Sequence, residues 1–194
     1  MIRDSYSPLS ASPLRDAARL AQPAPSARRV RLDTRATEVM TDLDVVPAAT
    51  IGPERPIDEA NATMVQRGVR LLFVLGAEQE IVGLLTASDL LGEKPMRFVT
   101  ERGVKRNEVR VADIMTPASQ VEALSMQEVT HAQVGHIVAS LKESGRQHAL
   151  VAEPGGRRVR GIFSATQIAR QLGVQLNTAE VAKTFAEIEA ALLH

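Results

Sequence analysis

The chain has 194 residues, 44% of them apolar and 24% charged, with 23 basic and 23 acidic side chains in balance. It has no cysteine, which excludes disulfides, thiolate metal sites and cysteine nucleophiles. No apolar run approaches the roughly 20 residues that span a bilayer, so the expectation is a soluble, cytoplasmic protein of one domain or two small ones.

The balance of charge hides an uneven distribution. Residues 1–35 carry seven arginines against three aspartates, together with four of the ten prolines (Pro8, Pro13, Pro23, Pro25) and few large apolar side chains. Such a segment buries too little to offset its ordering entropy, and is expected to be a disordered basic arm with at most a short helix over Leu14 to Ala21. Arg28, Arg29, Arg31 and Arg35 could contact an anionic partner, nucleic acid included, or be solvated.

From residue 36 the chain repeats itself. Glu38-Val39-Met40-Thr41 returns as Asp113-Ile114-Met115-Thr116, Gly68 with the run Leu71 to Leu75 returns as Gly145 with Ala149 to Ala152, and Gly83 returns as Gly161. These landmarks keep their order at offsets of 75, 77 and 78 residues. Two copies of a unit of about 60 residues suggest paired small domains, because a solenoid needs at least three repeats.

Each unit reads as strand, helix, strand, strand, helix. In the first, Ala48 to Ile51 is a weak strand. A helix opens at Pro56 or Ile57 and carries Ile57, Ala60, Met64 and Val65 at helical spacing before Gly68 stops it. Leu71 to Leu75 and Ile81 to Leu85 form a hairpin. The second unit runs Val121 to Met126 as strand, then a helix with Val134, Ile137, Val138 and Leu141 on one stripe, then His148 to Ala152 and Val159 to Phe163 across Pro154-Gly155-Gly156. The connection from Glu93 to Arg110 is basic and too long to lack structure, so Met96 to Val104 is expected to be part helix. Its cations could meet a ligand's phosphates or be solvated. Past Gly173, Asn177 or Thr178 should cap a last helix with Val181, Phe185, Ile188 and Leu192 on one face.

The units share one corner. Gly83-Leu84-Leu85-Thr86-Ala87-Ser88-Asp89 and Gly161-Ile162-Phe163-Ser164-Ala165-Thr166-Gln167 each read as a buried strand turning directly into a helix. Thr86 or Ser164 falls at the N-cap, with a polar side chain three residues on. That spacing makes a capping box. The same hydroxyl and carboxylate could also grip vicinal hydroxyls of a ligand, and only the first copy has the carboxylate. The histidines form no metal set, since His131 and His136 miss the i, i+4 spacing of a helical pair. No Ser-His-Asp arrangement can be drawn.

The duplicated entry motif, the glycine-ended helix, Gly68-Val69-Arg70-Leu71-Leu72-Phe73-Val74 and Gly83 to Asp89 together resemble the cystathionine-β-synthase (CBS) domain, in tandem. The resemblance implies an α+β fold: two βαββα units, residues 36–92 and 111–173, packed as a pseudo-twofold module. The arm 1–35, a part-helical linker 93–110 and a C-terminal helix in 174–194 lie outside them. It implies a regulatory or sensor module rather than an enzyme, with an adenine nucleotide (AMP, ADP or ATP) as regulatory ligand and no required cofactor or metal. Carried over by motif position, Thr41, Arg70, Thr86 and Asp89 belong to a first site. Thr116, Gln147, His148, Ser164 and Gln167 belong to a second, weaker one, because Gln167 stands where the family usually has a carboxylate. Phe73 and Leu150 stand where it often has proline. A homodimer built on the apolar stripes of the second unit and the last helix, and an unidentified protein partner, are also expected. The alternatives are a ligand-free dimerisation module and an arginine-tailed nucleic-acid binder.

Overall fold

The computed structural model describes residues 30–174 together with Ala186 and Ile188. Residues 1–29 of the expected arm, with its short helix, lie outside the described residues, as does the last helix apart from those two positions. Residues 30–35, expected to be disordered, are instead ordered, because Leu32 and Thr34 accept backbone bonds from Gly135 and Val134 and Val30 packs on the second unit's core. Strands are β1 (Thr41–Asp42), β2 (Thr50–Ile51), β3 (Leu71–Leu75), β4 (Ile81–Thr86), β5 (Thr116–Pro117), β6 (Ala123–Ser125), β7 (His148–Ala152) and β8 (Val159–Ser164). Helices are α1 (Ile57–Arg67), α2 (Ala87–Leu91), α3 (Lys94–Arg102), α4 (Val111–Ile114), α5 (Met126–His131), α6 (Val134–Ser144) and α7 (Ala165–Gln171).

The elements form because local chemistry and burial agree. Pro56 presets the entry to α1, Asp58 and Glu59 sit against the positive end of the helix, and Ile57, Ala60 and Met64 face the core. Gly68 closes α1 at φ 63°, and its counterpart Gly145 closes α6 at the same angle. A side chain at either would be strained in that left-handed conformation. Val65, read as part of the apolar stripe, points outward and is 75% exposed. It lies one position beyond Met64 and so just past the buried arc.

Two four-stranded sheets result, ordered β2-β3-β4-β5 and β1-β8-β7-β6. Each is closed by a strand from the other half of the chain. β1 pairs antiparallel with β8, and β5 pairs antiparallel with β4. The segments leading into these strands cross as well. Ala36 N–H donates to Ala132 O and Val134 N–H to Thr34 O, which docks the first entry segment on the start of α6. Val111 N–H donates to Arg55 O and Ile57 N–H to Val109 O, which docks the second on the start of α1. Ala36 and Val39 are buried in the second unit's core, and Val109, Val111 and Ile114 in the first's. The boundaries 36–92 and 111–173 therefore follow the repeat but not the packing. Periodicity locates a strand without saying which sheet it joins.

A third apolar layer, with Leu71, Phe73, Leu84 and Leu150 buried, joins the sheets. Phe73 and Leu150, the two positions where the resembled family often has proline, fill it. The second unit also differs from its reading in having two helices where one was expected. The break at Ala132-Gln133 is where the entry segment docks. Val134, Ile137 and Leu141 are buried together with Ile188, so the stripe expected to form a dimer contact is covered within the chain.

Close packing of the exchanged strands explains the paired glycines. A Cβ on Gly83 would lie 2.6 Å from Met115 Sδ and 2.8 Å from the Thr116 carbonyl oxygen. For one on Gly161 the three nearest atoms are all in the Met40 side chain, the closest at 2.5 Å. A methionine chain can swing aside and a paired carbonyl cannot. Gly83→Ala should cost roughly 1–3 kcal/mol of stability, and Gly161→Ala clearly less. Urea unfolding of the two variants reads the difference, and equal losses would contradict this account.

Candidate functional site

The first corner sits at the end of β4. Thr86 caps α2, its Oγ1 accepting from the Asp89 N–H at 3.3 Å. The Asp89 Oδ2 accepts in return from the Thr86 N–H at 2.8 Å and from its hydroxyl at 2.7 Å. Asp89 is only 8% exposed. Its other oxygen lies 2.5 Å from Lys94 Nζ at the start of α3. The capping box is thus realised in full, and the carboxylate has in addition a cationic partner that the sequence reading assigned only to phosphates or solvent.

The second corner is looser. Ser164 Oγ accepts from the Gln167 N–H at 3.4 Å, and Gln167 Oε1 accepts from the Thr41 hydroxyl at 3.4 Å. Its amide offers one neutral acceptor where Asp89 offers a charged pair of oxygens.

A cavity opens at each corner. The first, about 250 Å³, is bounded by Thr86, Asp89, Thr116, Gln147, His148 and Arg70. The second, about 460 Å³, is bounded by Thr41, Ser164, Gln167, Arg170, His148 and Arg70. The structure therefore regroups the residues assigned from sequence. Thr41 stands at the second corner, and Thr116 and Gln147 at the first. Arg70 and His148 border both. The cause is the strand exchange: Thr116 is opposite Leu84 on β4, and Thr41 opposite Ile162 on β8. Sequence reasoning missed Arg146, which lines the first cavity, and Arg170, which lines the second. Arg170 was within reach of it, lying three residues past Gln167 on the same helical face.

His148 is partly buried between the cavities. Burial, and secondly the charge of Arg70, push its pKa down from 6.5 to about 4, so the ring is neutral at physiological pH. Among the described residues no His, Cys, Asp or Glu group could hold a metal ion, and no helix is long and apolar enough to cross a membrane.

Two βαββα units with exchanged edge strands and a cleft at each strand-to-helix corner define a paired α+β module. Residues 36–95 match the family model described as CBS domain. That match spans about a third of the chain, and the fold of the whole is similar to that of solved CBS-pair structures. An uncharacterized conserved protein from Pyrococcus horikoshii is similar over 77% of this chain and 100% of its own, at 21% identity and TM-score 0.56. CBSX2 from Arabidopsis thaliana, a CBS-pair protein solved in complex with AMP, is similar over 71% of this chain and 94% of its own, at 20% identity and TM-score 0.51. The CBS domain pair of protein MJ0100, solved with 5′-methylthioadenosine and S-adenosyl-L-methionine, is similar over 72% and 96%, at 19% identity and TM-score 0.51. No curated protein matches the chain.

The depressed His148 pKa has a definite sign. The unfolded chain takes up a proton near pH 6.5 that the folded chain refuses until about pH 4. This residue's share of stability is complete above pH 6.5 and is lost as pH falls toward 4. His148→Leu should flatten the stability profile across that window, and Arg70→Met should raise the pKa part of the way toward normal. Proton-resonance titration of the imidazole checks both, and a midpoint near 6.5 in the parent chain would refute the burial argument.

Proposed function

We propose that this chain is a regulatory module that binds an adenosyl ligand, of the AMP, ADP or ATP class, at the first cleft, and passes that signal to a protein partner. The reading rests on one observation above the others: a nearly buried carboxylate, Asp89, lies beside a hydroxyl, Thr86, on the rim of a cavity also bordered by Thr116. Vicinal ribose hydroxyls are donors, and a fixed carboxylate is the acceptor that suits them, at about 1.5–3 kcal/mol per charge-assisted bond. The AMP complex of CBSX2 and the adenosyl ligands of the MJ0100 pair support the class. Arg70, Gln147 and His148 complete the first site in this reading. Thr41, Ser164 and Gln167, with Arg70 and His148 again, form the second. The role in this reading is sensing rather than catalysis.

The assembly we propose is a homodimer, formed through the first unit. Val65, Leu91 and Met96 on α1, α2 and α3 are 75%, 72% and 60% exposed, on three consecutive helices. Where exposed apolar side chains join into one patch they mark an interaction site, and a twofold homodimer is the commonest way to cover it.

Asp89→Ala should weaken AMP binding about 10- to 100-fold, since a decade corresponds to about 1.4 kcal/mol, while Gln167→Ala should change it much less. Calorimetric titration of both variants measures this, and equal losses would remove the asymmetry between the corners.

Leu91→Asp should shift the protein from dimer to monomer at micromolar concentration without loss of fold. Light scattering that finds the parent chain already at 21.0 kDa would remove the dimer.

A further inference from the structure

The Asp89 carboxylate is already committed. Its Oδ2 accepts two bonds from Thr86, and its Oδ1 is held by Lys94 Nζ at 2.5 Å. A carboxylate has about four acceptor sites, so three of them are filled and one is left. A ribose presents two adjacent hydroxyls. Asp89 cannot take both while keeping all three of its present donors, so one must withdraw.

The three donors differ in what they lose by leaving. The Thr86 N–H is an orphan donor of the first turn of α2, with no other partner at the corner, and the Thr86 hydroxyl is tied to the same cap. Lys94 is different. Its side chain is 48% exposed, against 11% for that of Asp89, and its ammonium sits on a flexible stem that can turn into water. Lys94 is the donor that yields.

What Lys94 holds besides Asp89 gives its withdrawal a consequence. It is the first residue of α3, which leads from the first unit toward the second. Its Nζ also donates to the Ile114 carbonyl at 3.3 Å, at the end of α4 and two residues before Thr116. One ammonium therefore joins the corner, the connecting helix and the segment that delivers Thr116 to the cleft.

We infer that Lys94 gates the first cleft: it competes with a ligand's hydroxyls for Asp89, so that occupancy of the cleft releases the start of α3. The gate rests on the proposed diol-binding role of Asp89 and gives that role an output, a change at the helix between the units. It also makes Lys94 a selectivity residue. A ligand with a diol and no phosphate must displace it outright.

Adenosine, a diol without phosphate, is the probe. Lys94→Met removes the competitor at nearly constant length and should bind adenosine about five-fold tighter in calorimetry, which is ~1 kcal/mol. Lys94→Gln, which retains a neutral donor and guards against misfolding of the first variant, should fall between Met and the parent chain. In hydrogen exchange, adenosine should speed exchange of residues 94–102 in the parent chain, whereas in Lys94→Met that exchange should already be fast and should not respond. Adenosine binding that is equal or weaker in both variants, with the parent's α3 protection unchanged, would overturn the gate while leaving the ligand reading intact. Absence of both adenosine and AMP binding from the parent and both folded variants would overturn the gate and the ligand reading together.

Discussion

The exchange of edge strands is the constraint on which the rest of the structure depends. Without β5 the first sheet would end on the open edge of β4, and without β1 the second would end on β8. An open edge is a row of unpaired donors and acceptors, and each unit covers its partner's. The added strands are only two residues long and contribute few hydrogen bonds of their own. The exchange is held instead by what flanks them. Val39 on one side and Val109, Val111 and Ile114 on the other are buried in the opposite unit's core. Arg160 on β8 adds an ion pair with Asp42 and another with Asp44, and Arg158 pairs with Asp44 as well. Two units tied in this way share their cores and sheets, and each cleft is built from both.

The chemistry of the clefts follows from that crossing. Because Thr116 arrives beside β4 and Thr41 beside β8, each corner receives its second hydroxyl from the other repeat. The duplication then diverges in charge. The first corner pairs a carboxylate with a lysine drawn from the connection between the units. The second has neutral acceptors, a larger cavity and Arg170 on its rim. Arg70 stands between the two, and the neutral His148 beside it avoids a second positive charge there. The two clefts thus present different surfaces, one with a paired carboxylate at its corner and one with neutral acceptors.

Much of the fold was legible in the residues. The strands β3 and β7 fall on the apolar runs that announce them, α1 and α6 end on the glycines that announce their ends, and the Thr86–Asp89 box forms as its spacing requires. These features are local, set by contacts within a few residues. The helix α5 escaped notice because Met126 to His131 is short and has one fully buried side chain, Val129, too little for a periodic stripe. Val65 was misplaced for a related reason, since helical spacing gives an arc of candidates and only the neighbouring element decides where that arc ends.

By itself the sequence determined the duplication, the α+β alternation, the identity of the corner residues and the inequality between Asp89 and Gln167, because each is written in residue type and short-range spacing. Only the tertiary structure decided that Thr41 and Thr116 change places, that Arg70 and His148 border both clefts, and that Lys94 holds Asp89. Each of those depends on which segments meet across the two sheets. The alternation of side chains along a strand records its buried face, but carries no record of the strand or helix lying opposite.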